Sequence, residues 1–222
     1  MYLARTPYLL KKIYPNAIWR LSAVDKKIYL TFDDGPVESI TPWVLDVLKK
    51  YAIKATFFCV GANIEKHPAI YKRMVAEGHQ TGNHTYNHLK GWNTHTKDYF
   101  KNIVWCDKIL NAAPSPLLYG LSSEKRAEVK PLFRPPYGKM KKSQYKMLSK
   151  KYSIIMWDVL SGDYSKKTSN EKCLSNVMNN VRNGSIVVFH DSIKAESNLK
   201  YTLVPFIEWA LEEGYIFNKI IL

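Results

Sequence analysis

Two adjacent carboxylates close an apolar run in Ile28-Tyr29-Leu30-Thr31-Phe32-Asp33-Asp34-Gly35-Pro36. The run is rich in β-formers, and Gly-Pro stops regular structure after it. A buried strand with two acids at its tip carries a repulsion that a metal ion or an arginine must take up. Asp-Gly-Pro alone is also ordinary turn chemistry, so the pair needs partners elsewhere in the chain. His84 and His88 are four apart, and on one helical turn both imidazoles would face the same way. Two nitrogens, one carboxylate oxygen and a water make a catalytic zinc set. The residues between them, Thr85-Tyr86-Asn87, include no glutamate, so the general base must come from elsewhere. One aspartate can bind the ion while the other stays free to deprotonate a water that the ion activates.

Two further groups complete a hydrolytic set. Arg134 precedes Pro135-Pro136-Tyr137-Gly138 and could pair with the free carboxylate, fixing its orientation. His190 follows the apolar run Ile186-Val187-Val188-Phe189 and suits protonation of a leaving amine. Asp191 beside it is expected to face away and cap a turn.

The elements that would carry these residues alternate. Apolar runs predict strands at 28–33, 55–60, 79–82, 132–133, 153–157, 185–189 and 215–222. Helical spacing predicts helices at 42–51 with Thr41 as N-cap, at 68–77, 96–112, 141–150, 170–182 and 203–213. Residues 111–130 read as a peripheral insertion. Strand–helix alternation without repeats or linkers predicts one parallel β/α domain. Asp33, Asp34, His84, His88, Arg134, Asp158 and His190 then fall at or just beyond strand C-termini, the face on which β/α barrels build active sites.

Composition bounds the rest. A chain of 222 residues with 46% hydrophobic residues supports one sizeable core. Cys59, Cys106 and Cys173 are an odd number without paired spacing and read as reduced, packed thiols. The net charge of +14 suggests an anionic partner without choosing among nucleic acid, lipid headgroups and acidic cell-wall polymers. No nucleic-acid-binding motif is present, and no stretch is long enough to span a membrane. Residues 1–20 lack an apolar signal core, so the expectation is a cytoplasmic protein as given, or an envelope-associated one if a leader is missing. A monomer is the expected state.

Thr31-Phe32-Asp33-Asp34-Gly35-Pro36, His84-Thr85-Tyr86-Asn87-His88, Arg134-Pro135-Pro136-Tyr137-Gly138 and Val188-Phe189-His190-Asp191 together resemble the ordered motifs of the polysaccharide deacetylases. This is the NodB-homology group, carbohydrate esterase family 4. The resemblance covers 26–222, with 1–25 as an N-terminal extension packing on it. It implies a distorted (β/α)7 barrel that removes N-acetyl groups from GlcNAc-containing polymers with one divalent metal ion, zinc first, cobalt or nickel as alternatives. Carried over by position, it implies Asp33 as base, with Asp34, His84 and His88 as metal ligands. Arg134 would orient Asp33, and His190 would be the acid. The Tyr137 amide would help bind the oxyanion, with Tyr164 and Trp157 on the substrate side. The family aspartate that supports the acid histidine aligns with Leu160, which leaves Asp158 or Asp163 as substitutes. Tyr86, Trp92, Tyr137 and Tyr164 lie in or beside the motifs and suit stacking on sugar rings. A catalytically weak carbohydrate-binding barrel and a small-molecule amidase are the competing readings.

Overall fold

Strand β1 (Lys27–Asp33) is buried from Ile28 onward and stands at the centre of a parallel sheet. The computed structural model describes residues 4–22, 24–112 and 130–222. The other strands are β2 (Thr56–Cys59), β3 (Gln80–Asn83), β4 (Leu132–Phe133), β5 (Ser153–Ile154), β6 (Val159–Leu160), β7 (Ser185–His190) and β8 (Ile216–Phe217). Their order is β5-β4-β3-β2-β1-β7-β6, with β8 paired to the start of β1. β5 pairs with β4 and β6 pairs with β7, so one segment, interrupted at residues 155–158, joins both ends of the path. The seven strands curl into the expected distorted β/α barrel.

Alternation along the strands sorts core from site. On β1, Ile28, Leu30 and Phe32 pack outward with Val44, Leu45 and Leu48 of the helix Thr41–Lys50 and with Leu199, Leu203 and Phe206 of the helix Glu196–Glu212. Tyr29, Thr31 and Asp33 therefore face inward, because successive strand side chains point to opposite faces. On β7, Val187 and Phe189 join the outer core and Ile186 joins the inner cluster with Tyr29 and Phe58. His190 is thus inward as well. The register places Asp33 directly opposite His190, so two of the chemical candidates share the last rung of one strand pair.

Residues 4–21 line the interruption between β5 and β6. Ile18 N–H donates to the Ile154 carbonyl at 2.8 Å, and Met156 N–H donates back to Ile18 at 2.8 Å. Thr6 N–H donates to Asp158 at 3.0 Å, and Leu160 N–H donates to Ala4 at 2.7 Å. Backbone groups that a broken strand would leave unpaired are satisfied there.

Several expected boundaries change, each for a local reason. Thr41 is the first helical residue rather than the N-cap; its hydroxyl accepts from Val37 N–H and donates to Asp191. Gly61 does not only end β2 but opens a short helix, Gly61–Lys66. The last helix starts at Glu196 rather than near Leu203, and it carries Pro205 inside it. The expected strand 153–157 stops at Ile154 and resumes at Val159, and the C-terminal strand is confined to Ile216–Phe217. Of the insertion read at 111–130, residues 113–129 lie outside the described residues. The three cysteines are buried and free. Among the described residues, no helix is long and apolar enough to cross a membrane.

Candidate active site

Asp33 and Asp34 are consecutive yet face different partners. Asp33, 4% exposed, ends β1 in extended backbone, whereas Asp34 turns into the left-handed region at φ 83°. That turn is braced by Asp191, whose Oδ1 accepts from Gly35 N–H at 3.1 Å and whose Oδ2 accepts from the Thr41 hydroxyl at 2.6 Å. A Cβ on Gly35 would lie 1.9 Å from Asp191 Oδ2, so only glycine lets the carboxylate approach. Asp191 caps this loop as expected, and burial raises its carboxyl to about 8.

Arg134 is fully buried and reaches Asp33 Oδ1 with Nη1 at 2.6 Å. The same nitrogen donates to Thr31 Oγ1 at 2.8 Å, while Nε and Nη2 donate to the Ile155 and Met156 carbonyls. The guanidinium also stacks over Phe58 at 4.1 Å. Each of the three guanidinium nitrogens has an acceptor, as a buried cation requires. Thr31 was missed as a site residue, although its spacing of two from Asp33 already put it on the same face.

Asp34, His84 and His88 form the one group among the described residues whose ligand atoms lie together, within 4.8 Å of one another. Asp34 Oδ1 is 3.1 Å from His88 Nε2 and 3.6 Å from His84 Nε2. His84 Nδ1 lies 2.8 Å from the Arg134 carbonyl, an acceptor, so the proton belongs on Nδ1 and Nε2 turns its lone pair toward Asp34. Asp34 Oδ1 is buried with no hydrogen-bond partner. A buried acceptor facing a nitrogen lone pair is unfavourable without a cation between them, so the donor set fits a divalent ion. The spacing of the histidines is not helical as expected. Residues 84–88 form a loop in which Thr85 (φ 65°) and His88 (φ 54°) are both left-handed.

His190, on the opposite side of Asp33, gives Nδ1 to Asp163 Oδ1 at 2.7 Å, and its backbone N–H donates to Asp163 Oδ2 at 2.7 Å. Burial alone would push the imidazole down, but the Asp163 carboxylate, with help from Asp34 and Asp33, raises it to about 9. Nε2 is left as the ring nitrogen available to the site.

A family model described as polysaccharide deacetylase matches residues 21–152, more than half of the chain. The chain belongs to the polysaccharide deacetylase family. A peptidoglycan-N-acetylglucosamine deacetylase of Bacillus cereus is 30% identical over 214 residues, covering 94% of each chain. A second protein of that description from Bacillus cereus is 37% identical over 167 residues, covering 75% of this chain and 56% of that one. This chain thus spans nearly all of one such relative and about half of the other. A solved peptidoglycan N-acetylglucosamine deacetylase is 31% identical with a TM-score of 0.81, covering 97% of this chain and 95% of that one.

In this polysaccharide deacetylase chain, one of the two expected supports of His190, Asp158, falls away. Asp158 is not at the rim. Its oxygens accept from Arg182 at 2.9 and 3.0 Å and from the Ser185 hydroxyl at 3.0 Å, and Lys11 approaches at 3.5 Å. Ser185 begins β7 and His190 ends it, so about 17 Å of strand separates them. Leu160 is buried and pairs with Val188 through its backbone. The supporting carboxylate therefore comes from Asp163, and nothing is missing at Leu160.

The aromatic candidates divide. Tyr137, left-handed at φ 60° and 58% exposed, lies with its ring 4.7 Å from that of His88. Tyr164 meets the His190 ring edge-on at 4.8 Å. Trp157 lies beneath the Tyr137-Gly138 turn, where a Cβ on Gly138 would come within 2.4 Å of it. Trp92 is half exposed and its indole N–H donates to the Met140 carbonyl at 2.8 Å. Tyr86 does not present a free face to the rim: it stacks on Trp105 at 3.7 Å and its hydroxyl donates to Glu65.

Proposed function

We propose that this chain hydrolyses the N-acetyl group of GlcNAc residues in a polymeric glycan, peptidoglycan or a chitin-like chain, with one zinc ion. The observation that carries the reading is the division of the Asp33–Asp34 pair, one carboxylate on Arg134 and the next on His84 and His88. Hydrolysis of an amide at a metal needs both a ligand and a separate base, and a single dipeptide supplies them here.

Asp34, His84 and His88 would hold the ion, which when bound supplies Lewis acidity toward the acetyl carbonyl and toward water. Asp33 takes the proton of the attacking water, held in place by Arg134 so that it does not swing toward the ligands. The Tyr137 backbone N–H donates to the oxygen that becomes negative in the tetrahedral intermediate. His190 protonates the leaving amine through Nε2, while Asp163 keeps the other ring proton on Nδ1. Tyr137, Tyr164 and Trp157 border the space where a pyranose ring and its acetyl group would sit. A carbohydrate-binding barrel without activity would be expected to have lost the base or a ligand, and neither is lost here.

The test is incubation with acetylated GlcNAc oligomers followed by mass spectrometry. Stepwise loss of acetyl mass is expected; intact oligomers and intact peptidoglycan fragments would reject the reading.

A further inference from the structure

The loop that carries His84 and His88 has no helical hydrogen bonds of its own, yet the backbone N–H groups of Thr85, Tyr86 and Asn87 are all satisfied by side chains. Asn83 Oδ1 accepts from Thr85 N–H at 2.8 Å. Asn102 Oδ1 accepts from both Tyr86 N–H at 2.8 Å and Asn87 N–H at 3.0 Å. Asn102 is 7% exposed and sits on the buried face of the helix Thr96–Asn111, which contributes no ligand. Asn83 is braced from the same helix, since its Nδ2 donates to the Ile103 carbonyl at 2.8 Å and to Asp107 Oδ1 at 2.7 Å. Tyr152 donates to the second oxygen of Asp107. Both acceptors on the Nδ2 side accept only, so the Asn83 amide is fixed with its oxygen toward Thr85.

We propose that Asn102 is a positioning residue for the His84–His88 pair. A single side-chain oxygen gathers two consecutive N–H groups in the span between the histidines, where Thr85 and His88 both hold left-handed backbone that neither residue prefers. Without that acceptor the two N–H groups lose their shared partner in a loop that is buried at His84 and Thr85 and half-buried at Tyr86 and His88, which favours its rearrangement and changes the separation of the two imidazoles. The inference rests on the reading of Asp34, His84 and His88 as metal ligands.

The test is zinc affinity, measured by competition with a chromophoric chelator on the full chain. Asn102→Ala should bind zinc about ten- to hundredfold more weakly than wild type, the usual effect of removing a partner that orients a metal ligand. Asn102→Asp, which keeps the accepting oxygen, should stay close to wild type. If Asn102→Ala does not fold, Asn102→Leu fills the space without an acceptor and carries the same expectation. Wild-type affinity in the alanine or leucine variant overturns the inference, as does an aspartate variant as weak as alanine. A wild type with no affinity for zinc overturns the ligand assignment itself, and this inference with it.

Discussion

Asp163 serves His190 with both carboxylate oxygens: Oδ1 lies 2.7 Å from the ring Nδ1 and Oδ2 lies 2.7 Å from the backbone nitrogen. The backbone contact fixes the carboxylate relative to the strand end, and the ring contact fixes the imidazole relative to the carboxylate. The imidazole is thereby oriented by the residue that also raises its pKa.

The pH dependence follows. An acid must hold its proton, so His190 is competent below its raised value and the rate should fall as pH climbs through about 9. In Asp163→Asn the leading raising influence is gone and burial, which lowers the value, dominates. The basic limb of kcat/KM should move to lower pH, with the largest loss of activity above neutrality. A limb in the same place would mean that another group sets it. Leu160→Asp, in contrast, should not move the limb upward, because His190 already has its carboxylate.

Arg134 and Asp33 test the buried ion pair. Removal of one partner leaves the other charged and without water, typically costing about 3–5 kcal/mol. Arg134→Leu should lose stability on that scale in chemical denaturation as well as activity. A variant as stable as wild type would show that Asp33 finds another partner.

The ligand assignment predicts about one divalent ion per chain in purified protein, zinc foremost. His84→Ala and His88→Ala together should abolish binding in elemental analysis. Full metal content in the double variant would place the ion elsewhere.

Substrate length is the fourth discriminator. Exposed Tyr137 and Tyr164 lie against His88 and His190, and on the proposed reading they offer surfaces for sugars beyond the reacting residue. Binding of remote rings lowers the barrier at the acetyl group, and oligomers should be turned over better than free N-acetylglucosamine at matched acetyl concentration. Equal efficiency on the monomer would point to a small-molecule amidase. The charge of +14 adds that rates on anionic wall material should fall with salt, while rates on neutral oligomers should not.

Much of this was legible in the chain because charged residues at the ends of apolar runs are rare without cause. Asp33, Asp34, Arg134 and His190 stand out in that way; strand alternation places Asp33 and His190 inward, whereas Asp34 reaches its partners through the left-handed turn that follows β1. Asp158 looked the same and was misplaced, because the segment 153–160 changes partner midway and residues beyond Ile154 no longer follow the strand's rung count. The His84–His88 loop was read as a helical turn, since spacing of four says nothing about Thr85 and His88 adopting positive φ. Asn102 left one signal, a polar residue inside the apolar stripe of Tyr99, Ile103 and Cys106, but its partners are reached only through the fold.

The most direct measurement is acetate release from a GlcNAc oligomer by wild type and by Asp33→Asn, each with its zinc content determined. Asp33→Asn should retain the ion and lose about 10²- to 10⁴-fold in turnover, the usual contribution of a general base. Zinc-loaded Asp33→Asn releasing acetate at the wild-type rate would contradict the assignment of Asp33 as the base and the division of labour between Asp33 and Asp34.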